Sequence, residues 1–306
     1  MAQRRIASEI WVVLAGLCAA AVFALLEGRP AGFASAARGT LSPPIALPAP
    51  VRRAIAFGFS AVGSDWYWLE AIQYFGSKEN ADEDYRHLSE FLEAATDLDP
   101  DFGYAFQFGG ETIPFDNPRT KKWYNTGAVL HLLRKGADDA ASPWEVPFLL
   151  GYSLYTFRGE YEEAGRYIEK ASRMPDAPGY LRALAIRLLA QGGSVDMALS
   201  LTRAALANAT EETVKADLED RLKALTLQKD LDALNEALSA RTRADKTTAS
   251  MEDLVGYGGL TAVPPEPFGG RWEFDEATAR VKSSDDWRLL RVFVKPGRPP
   301  IEPWAD

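Results

Sequence analysis

The chain has 306 residues, 47% of them apolar and 25% charged, a composition that folds rather than stays disordered. Forty-three acids against 34 bases leave a net charge of -9, which argues against a nucleic-acid surface, since that needs clustered Lys and Arg. One cysteine (Cys18) and two histidines (His87, His131) exclude an internal disulfide and a Cys/His zinc cluster.

Arg4 and Arg5 precede Ile10 to Leu26, seventeen residues without a charge. That is the lower limit of the roughly 17–25 residues needed to cross a hydrocarbon core. Three readings compete: an uncleaved anchor, a cleaved signal peptide and a buried core helix. The run has no polar face, which disfavours a core helix. Glu27-Gly28-Arg29-Pro30 follows it, and the nearest small-residue pattern, Ala34-Ser35-Ala36, comes late for signal cleavage. Leu17 before Cys18 is too large for a lipoprotein site. The flanks therefore favour a single-pass anchor in the cytoplasmic (inner) membrane. The leading arginines favour the bulk of the chain outside, in the periplasm if the protein is bacterial, although Arg29 and Arg38 oppose that orientation. The expected organisation is an anchor over 1–27, a Pro/Ala-rich spacer over 28–50, helices over 51–245 and an irregular tail over 246–306.

Val51 to Gly76 is dense in aromatics, and Ala61 to Phe75 reads as a helix with Asp65, Glu70 and Gln73 its only strongly polar positions. Such a helix is expected to be nearly buried against its neighbour rather than to lie in a membrane interface, because it lacks a basic face. Asp84 to Pro100 predicts a second helix, apolar at Leu88, Leu92 and Ala95, with Gly76 as the small residue where the two cross. Asp101 to Thr112 predicts another, with Tyr104, Phe106 and Phe108 buried. Asp116-Asn117-Pro118 reads as the start of a helix running from Arg119 to Lys135 and ending at Gly136. Gly110 to Pro118 is then an inserted loop.

A further helix starts near Ser142-Pro143-Trp144, and Leu150, Tyr152 and Tyr155 are expected on one face. Gly159 breaks it. Ala164, Tyr167, Ile168 and Ala171 then recur at three- and four-residue spacing until Pro175. Small residues at Ala164 and Ala171 let two antiparallel helices approach closely. The segment Gly151 to Pro175 resembles a tetratricopeptide (TPR) unit, whose period is about 34 residues. Asp84 to Pro100 is similar to the second helix and terminal proline of the same consensus, with Leu88 in place of its usual small residue. Gly179 to Gln191, a helix capped by Ser194, and two charged helices over 210–227 and 230–242 continue the pattern. The resemblance implies an all-α solenoid of about four helical hairpins with capping helices. It also implies a concave groove lined by the first helix of each hairpin. Here those helices offer Tyr74, Tyr104, Gln107, Tyr152, Tyr155 and Arg158, aromatic rather than basic. That suits an apolar peptide or helix and not a carboxylate clamp.

The tail changes period. PPEPFGGRWEFDEATARVKSS reads as a β-hairpin with an Asp-Glu-Ala-Thr turn. It is similar to a P-x-D-P-[FW]-G-G-x-Y stretch that ends some bacterial pseudopilins, with Glu266 where that pattern has Asp and Trp272 where it has Tyr. No catalytic, cofactor or metal constellation is read. Asp97-Leu-Asp99-Pro-Asp101 lacks the Gly and final acid of a calcium loop and reads as a helix end. Neither histidine has a partner at motif spacing, and Arg119, Lys121 and Lys122 read as a solvated cluster. The expected function is a membrane-anchored scaffold or adaptor for protein partners in an envelope assembly, pilus or secretion related. An accessory structural subunit of an integral membrane complex is the alternative, and an enzyme the third reading.

Overall fold

The structure is a computed structural model that describes residues 43–139 and 142–290. The apolar run Ile10 to Leu26, most of the spacer and the chain beyond Leu290 lie outside the described residues. Among those described, the protein is all-α in class, eleven α-helices with two two-stranded sheets. No described helix is long and apolar enough to cross a membrane. The chain divides into two compact units between Asn125 and Thr126.

The first unit holds α1 (Ala49–Ile55), α2 (Ser60–Gly76), α3 (Lys78–Asp82), α4 (Leu88–Leu98), α5 (Gly103–Thr112), β1 (Phe115–Asp116) and β2 (Trp123–Tyr124). Its centre is α4, which packs on α1, α2 and α5 and buries Leu88, Phe91, Leu92 and Ala95 at helical spacing. The close approach of α2 to α4 is at Gly63 and Ser64. A Cβ on Gly63 would come within 2.8 Å of Leu98 Cδ1, and the Ser64 hydroxyl donates to the Ala95 carbonyl at 3.0 Å. Gly76, the residue expected at this crossing, instead ends α2 in the open with nothing near it.

Two helix starts differ from the sequence reading. α4 begins at Leu88 rather than Asp84, because Asp84 and Tyr85 take left-handed backbone (φ 59° and 52°) that no α-helix accommodates. The span 119–125 is not helical. The Asn117 side chain accepts from the Arg119 and Thr120 amides at 2.8 and 3.2 Å, closing a turn that pairs Phe115 with Tyr124 and Asp116 with Trp123. Asn125 is also left-handed (φ 61°), so the helix starts only at Thr126.

The second unit holds α6 (Thr126–Ala137), α7 (Glu145–Ser153), α8 (Tyr161–Ser172), α9 (Tyr180–Gln191), α10 (Val195–Asn208) and α11 (Glu212–Arg243), each packed on the next. α7 continues through one π-helical turn, Leu154–Arg158, and Gly159 at φ 68° then reverses the chain. Glycine sets both hairpin spacings. A Cβ on Gly151 would fall 2.5 Å from Ile168 Cγ1 across the α7–α8 contact, and one on Gly165 would fall 2.9 Å from the Leu189 amide of α9. Ala164 and Ala171 are fully buried in the same contacts. Ser194 does not cap α10 with its side chain but donates to Glu162 Oε1 at 2.7 Å, which together with Arg166 holds that carboxyl below the ordinary range.

The two helices expected over 210–242 are one. No Gly or Pro interrupts Leu227 to Leu231, and Leu227, Leu231 and Leu234 keep one buried stripe running across the expected break. Against that stripe lies the predicted hairpin, β3 (Trp272–Asp275) paired with β4 (Arg280–Ser283). Asn235 holds it in place: its amide donates to the Val281 carbonyl at 3.0 Å and accepts from the Val281 amide at 2.9 Å. The segment resembling pseudopilins closes on Glu266, whose carboxylate is nearly buried. It accepts from the Phe268 and Gly270 amides and the Ser283 hydroxyl at 2.7 to 2.8 Å.

Candidate partner-binding surfaces

Both units present large apolar side chains to solvent. In the second unit, besides Trp287 of the tail, one such surface follows from the two-sided pattern of α7. Val146, Leu150 and Leu154, four residues apart, are fully buried. Trp144, Phe148 and Tyr152 repeat that spacing from an offset of two residues, which turns them to the opposite side. Leu150 and Tyr152, expected on one face, are therefore on different ones. The rings on this side form a ladder, half-buried at Trp144, Phe148 and Tyr155, with centroids 5.8 Å (Trp144–Phe148), 6.3 Å (Phe148–Tyr152) and 5.3 Å (Tyr152–Tyr155) apart. The last pair is three residues apart in sequence rather than four. Tyr152 is 42% exposed. Burial raises the Tyr155 phenol above its ordinary range, with Tyr152 and then Tyr180 at the start of α9 adding to the shift. Arg158 ends the ladder exposed, with a guanidinium nitrogen 3.7 Å from where a Cβ on Gly127 of α6 would sit.

Of the residues expected to line a groove, the structure thus brings Tyr152, Tyr155 and Arg158 to one strip. In the first unit, Tyr104 is 59% exposed, set edge-on to Trp68 at 5.5 Å. Gln107 faces Glu111 on the same helix at 3.3 Å. Tyr74 is core, 1% exposed, packed on Phe91 with its hydroxyl accepting from the His87 amide, and offers no surface. Sequence reasoning missed Trp144, Phe148 and Tyr180. Their signal was present in the four-residue spacing of Trp144, Phe148 and Tyr152, which the Leu150 register obscured.

The second surface contradicts the expectation that the helix Ala61 to Phe75 is nearly buried. Trp68 and Phe75 do pack into the aromatic cluster with Phe102 and Phe108. Val62, Trp66, Leu69 and Ile72 on the far side of α2 remain 42 to 64% exposed. The turn between α1 and α2 adds Phe57 and Phe59, 75% and 70% exposed, on either side of Gly58. Phe57 holds φ 49°, a strained backbone for a bulky residue that nevertheless sits in water.

The polar groups around His87 and Asp99 are satisfied locally. His87 Nδ1 lies 2.7 Å from Glu90 Oε1, and the Asp101 amide donates to Asp99 Oδ1 at 3.1 Å as a helix-ending turn. A cleft of about 370 Å³ beside α1 is lined by Pro44, Leu47, Arg52, Glu90, Glu93 and Asp97. The Arg52 guanidinium there donates to the Leu47 carbonyl and faces Asp97 at 3.6 Å. Among the described residues no group of three or more His, Cys, Asp or Glu could hold a metal ion.

Fold and surfaces define an all-α protein of helical hairpins with an exposed apolar face on α2 and a partly exposed aromatic strip on α7. No known protein family matches the chain, and neither does any curated protein or solved structure.

Proposed function

We propose that this protein is a scaffold of tetratricopeptide-like hairpins, tethered to the cytoplasmic membrane by Ile10 to Leu26 with its helices on the periplasmic side. It receives an apolar peptide or helix of an envelope-assembly protein on α7. The observation that carries the reading is the ladder Trp144–Phe148–Tyr152–Tyr155, a strip of rings along the side of α7 opposite its buried aliphatics. Aromatic rings give large contact area for little lost side-chain entropy, and a helical spacing matches an apolar helix laid alongside. The pseudopilin-like hairpin supports a place in pilus or secretion assembly. Its motif residues make a closed hydrogen-bond network around Glu266.

The test places a photo-crosslinking amino acid at Tyr152 in the full chain, irradiates whole cells and identifies the product by mass spectrometry. One dominant membrane or envelope polypeptide is expected. Trp144→Ala with Tyr152→Ala should reduce co-purification of that polypeptide at least tenfold while the helical circular dichroism is unchanged. A label that captures nothing, or a double variant that retains its partner in full, overturns the reading.

A further inference from the structure

Resting on the anchored reading above, we infer that the outward face of α2 and of the turn before it lies in the headgroup region of the bilayer that Ile10 to Leu26 enters. Phe57, Phe59 and Trp66 are its inserted side chains. The face consists of Phe57, Phe59, Val62, Trp66, Leu69 and Ile72, all exposed. Along α2 the only outward charge is Asp65. A surface that selects a protein partner normally frames its apolar centre with hydrogen-bonding groups, and here Asp65 and Gln73 are nearly all there is. A bilayer interface demands only apolar and aromatic surface, and takes Trp and Phe preferentially.

The covalent tether decides between lipid and a freely diffusing partner. Residues 27–44 separate Leu26 from Ile45, eighteen residues. Fully extended they reach at most about 60 Å. If Ile10 to Leu26 is in the bilayer, the face is held within that distance of a continuous lipid surface. A tether of this length gives an effective concentration on the order of millimolar, so weak insertion suffices. The turn at Phe57 and Gly58 fits the same purpose: left-handed backbone at both positions keeps Phe57 and Phe59 projecting outward rather than folded onto α4. With a chain charge of -9, attraction to anionic lipid is not the driving force. Insertion should therefore be as strong in neutral as in anionic membranes.

The test uses the full chain with Cys18→Ala, which leaves no other cysteine, and Val62→Cys labelled with an environment-sensitive nitrobenzoxadiazole dye. It is reconstituted into neutral phosphatidylcholine vesicles. The chain should float with the vesicles, and the dye should emit to the blue of its value in water and be quenched by lipids bearing shallow nitroxides. Adding Phe57→Ser, Phe59→Ser, Trp66→Ser and Leu69→Ser should abolish the shift and the quenching without abolishing flotation. If the chain floats but the dye emits as in water, the inference is wrong and the anchor reading survives. A blue-shifted dye that lipid nitroxides do not quench means protein covers the face, whether a second copy or residues 10–26, and also overturns it. Failure to float removes the anchor reading and this inference with it.

Discussion

At the scale of single residues, the second unit is spaced by glycines whose missing methyls decide how near the helices come. Gly151 faces Ile168 and the Ala164 carbonyl, and that carbonyl is backbone that cannot turn aside. Gly151→Ala is expected to cost about 1–3 kcal/mol in urea unfolding, the usual penalty of overpacking a tight contact. Gly76→Ala is the control. It adds a methyl where nothing lies within 4 Å, at a position without left-handed backbone. Restricting the unfolded chain there should raise stability by about 0.4–1 kcal/mol. Equal effects at the two sites would mean that the α7–α8 crossing is looser than its geometry. The contrast also shows what a glycine in a sequence conveys. Gly159 was legible as a helix breaker because helix residues flank it on both sides. The crossing role of Gly63 and Gly165 was not, since only the partner helix, distant in sequence, makes a methyl intolerable there.

At the scale of elements, the C-terminal hairpin owes its position to two polar side chains. Glu266 gathers two amides and a hydroxyl, while Asn235 pairs with the backbone of Val281 as a neighbouring strand would. Glu266→Ala leaves the Phe268 and Gly270 amides without their acceptor in a half-buried loop. A loss of about 3 kcal/mol is expected, since hydrogen bonds to a charged group contribute about 1.5–3 kcal/mol each. Hydrogen exchange should quicken at residues 266–284 while the α7 amides keep their protection. Unchanged exchange in the loop would show that the Pro-rich backbone holds itself. The hairpin was readable because its period of two and its turn residues are local signals. The continuity of α11 was misread for the converse reason. The polar residues Gln228, Lys229 and Asp230 look like a boundary, yet nothing in them breaks a helix, and the stripe of Leu227, Leu231 and Leu234 is completed by the hairpin packed against it.

At the scale of the molecule, the division between Asn125 and Thr126 separates two units with their own buried clusters. Calorimetry of the described region, residues 43–290, is expected to show two transitions, with Gly151→Ala lowering one and leaving the other in place. A single transition lowered as a whole would mean that the units unfold as one. The two exposed surfaces fall one in each unit, so variants on α7 and on α2 should act independently: the first on partner capture, the second on membrane contact.

Sequence by itself determined the helical class, the Gly159 break, the local hairpin and the aromatic richness of the helix after Pro143, because each depends on neighbours within about ten residues. It misjudged which side of an apolar helix is covered. Periodicity points a helix toward the core only when one face is polar, and α2 is apolar on both. Its Tyr74 is buried against Phe91 and its Trp66 is left in solvent. That assignment was made by where α4 and α5 pack: Gly63 and Ser64 are small positions along α2, but their role shows only once Leu98 and Ala95 of α4, distant in sequence, lie against them.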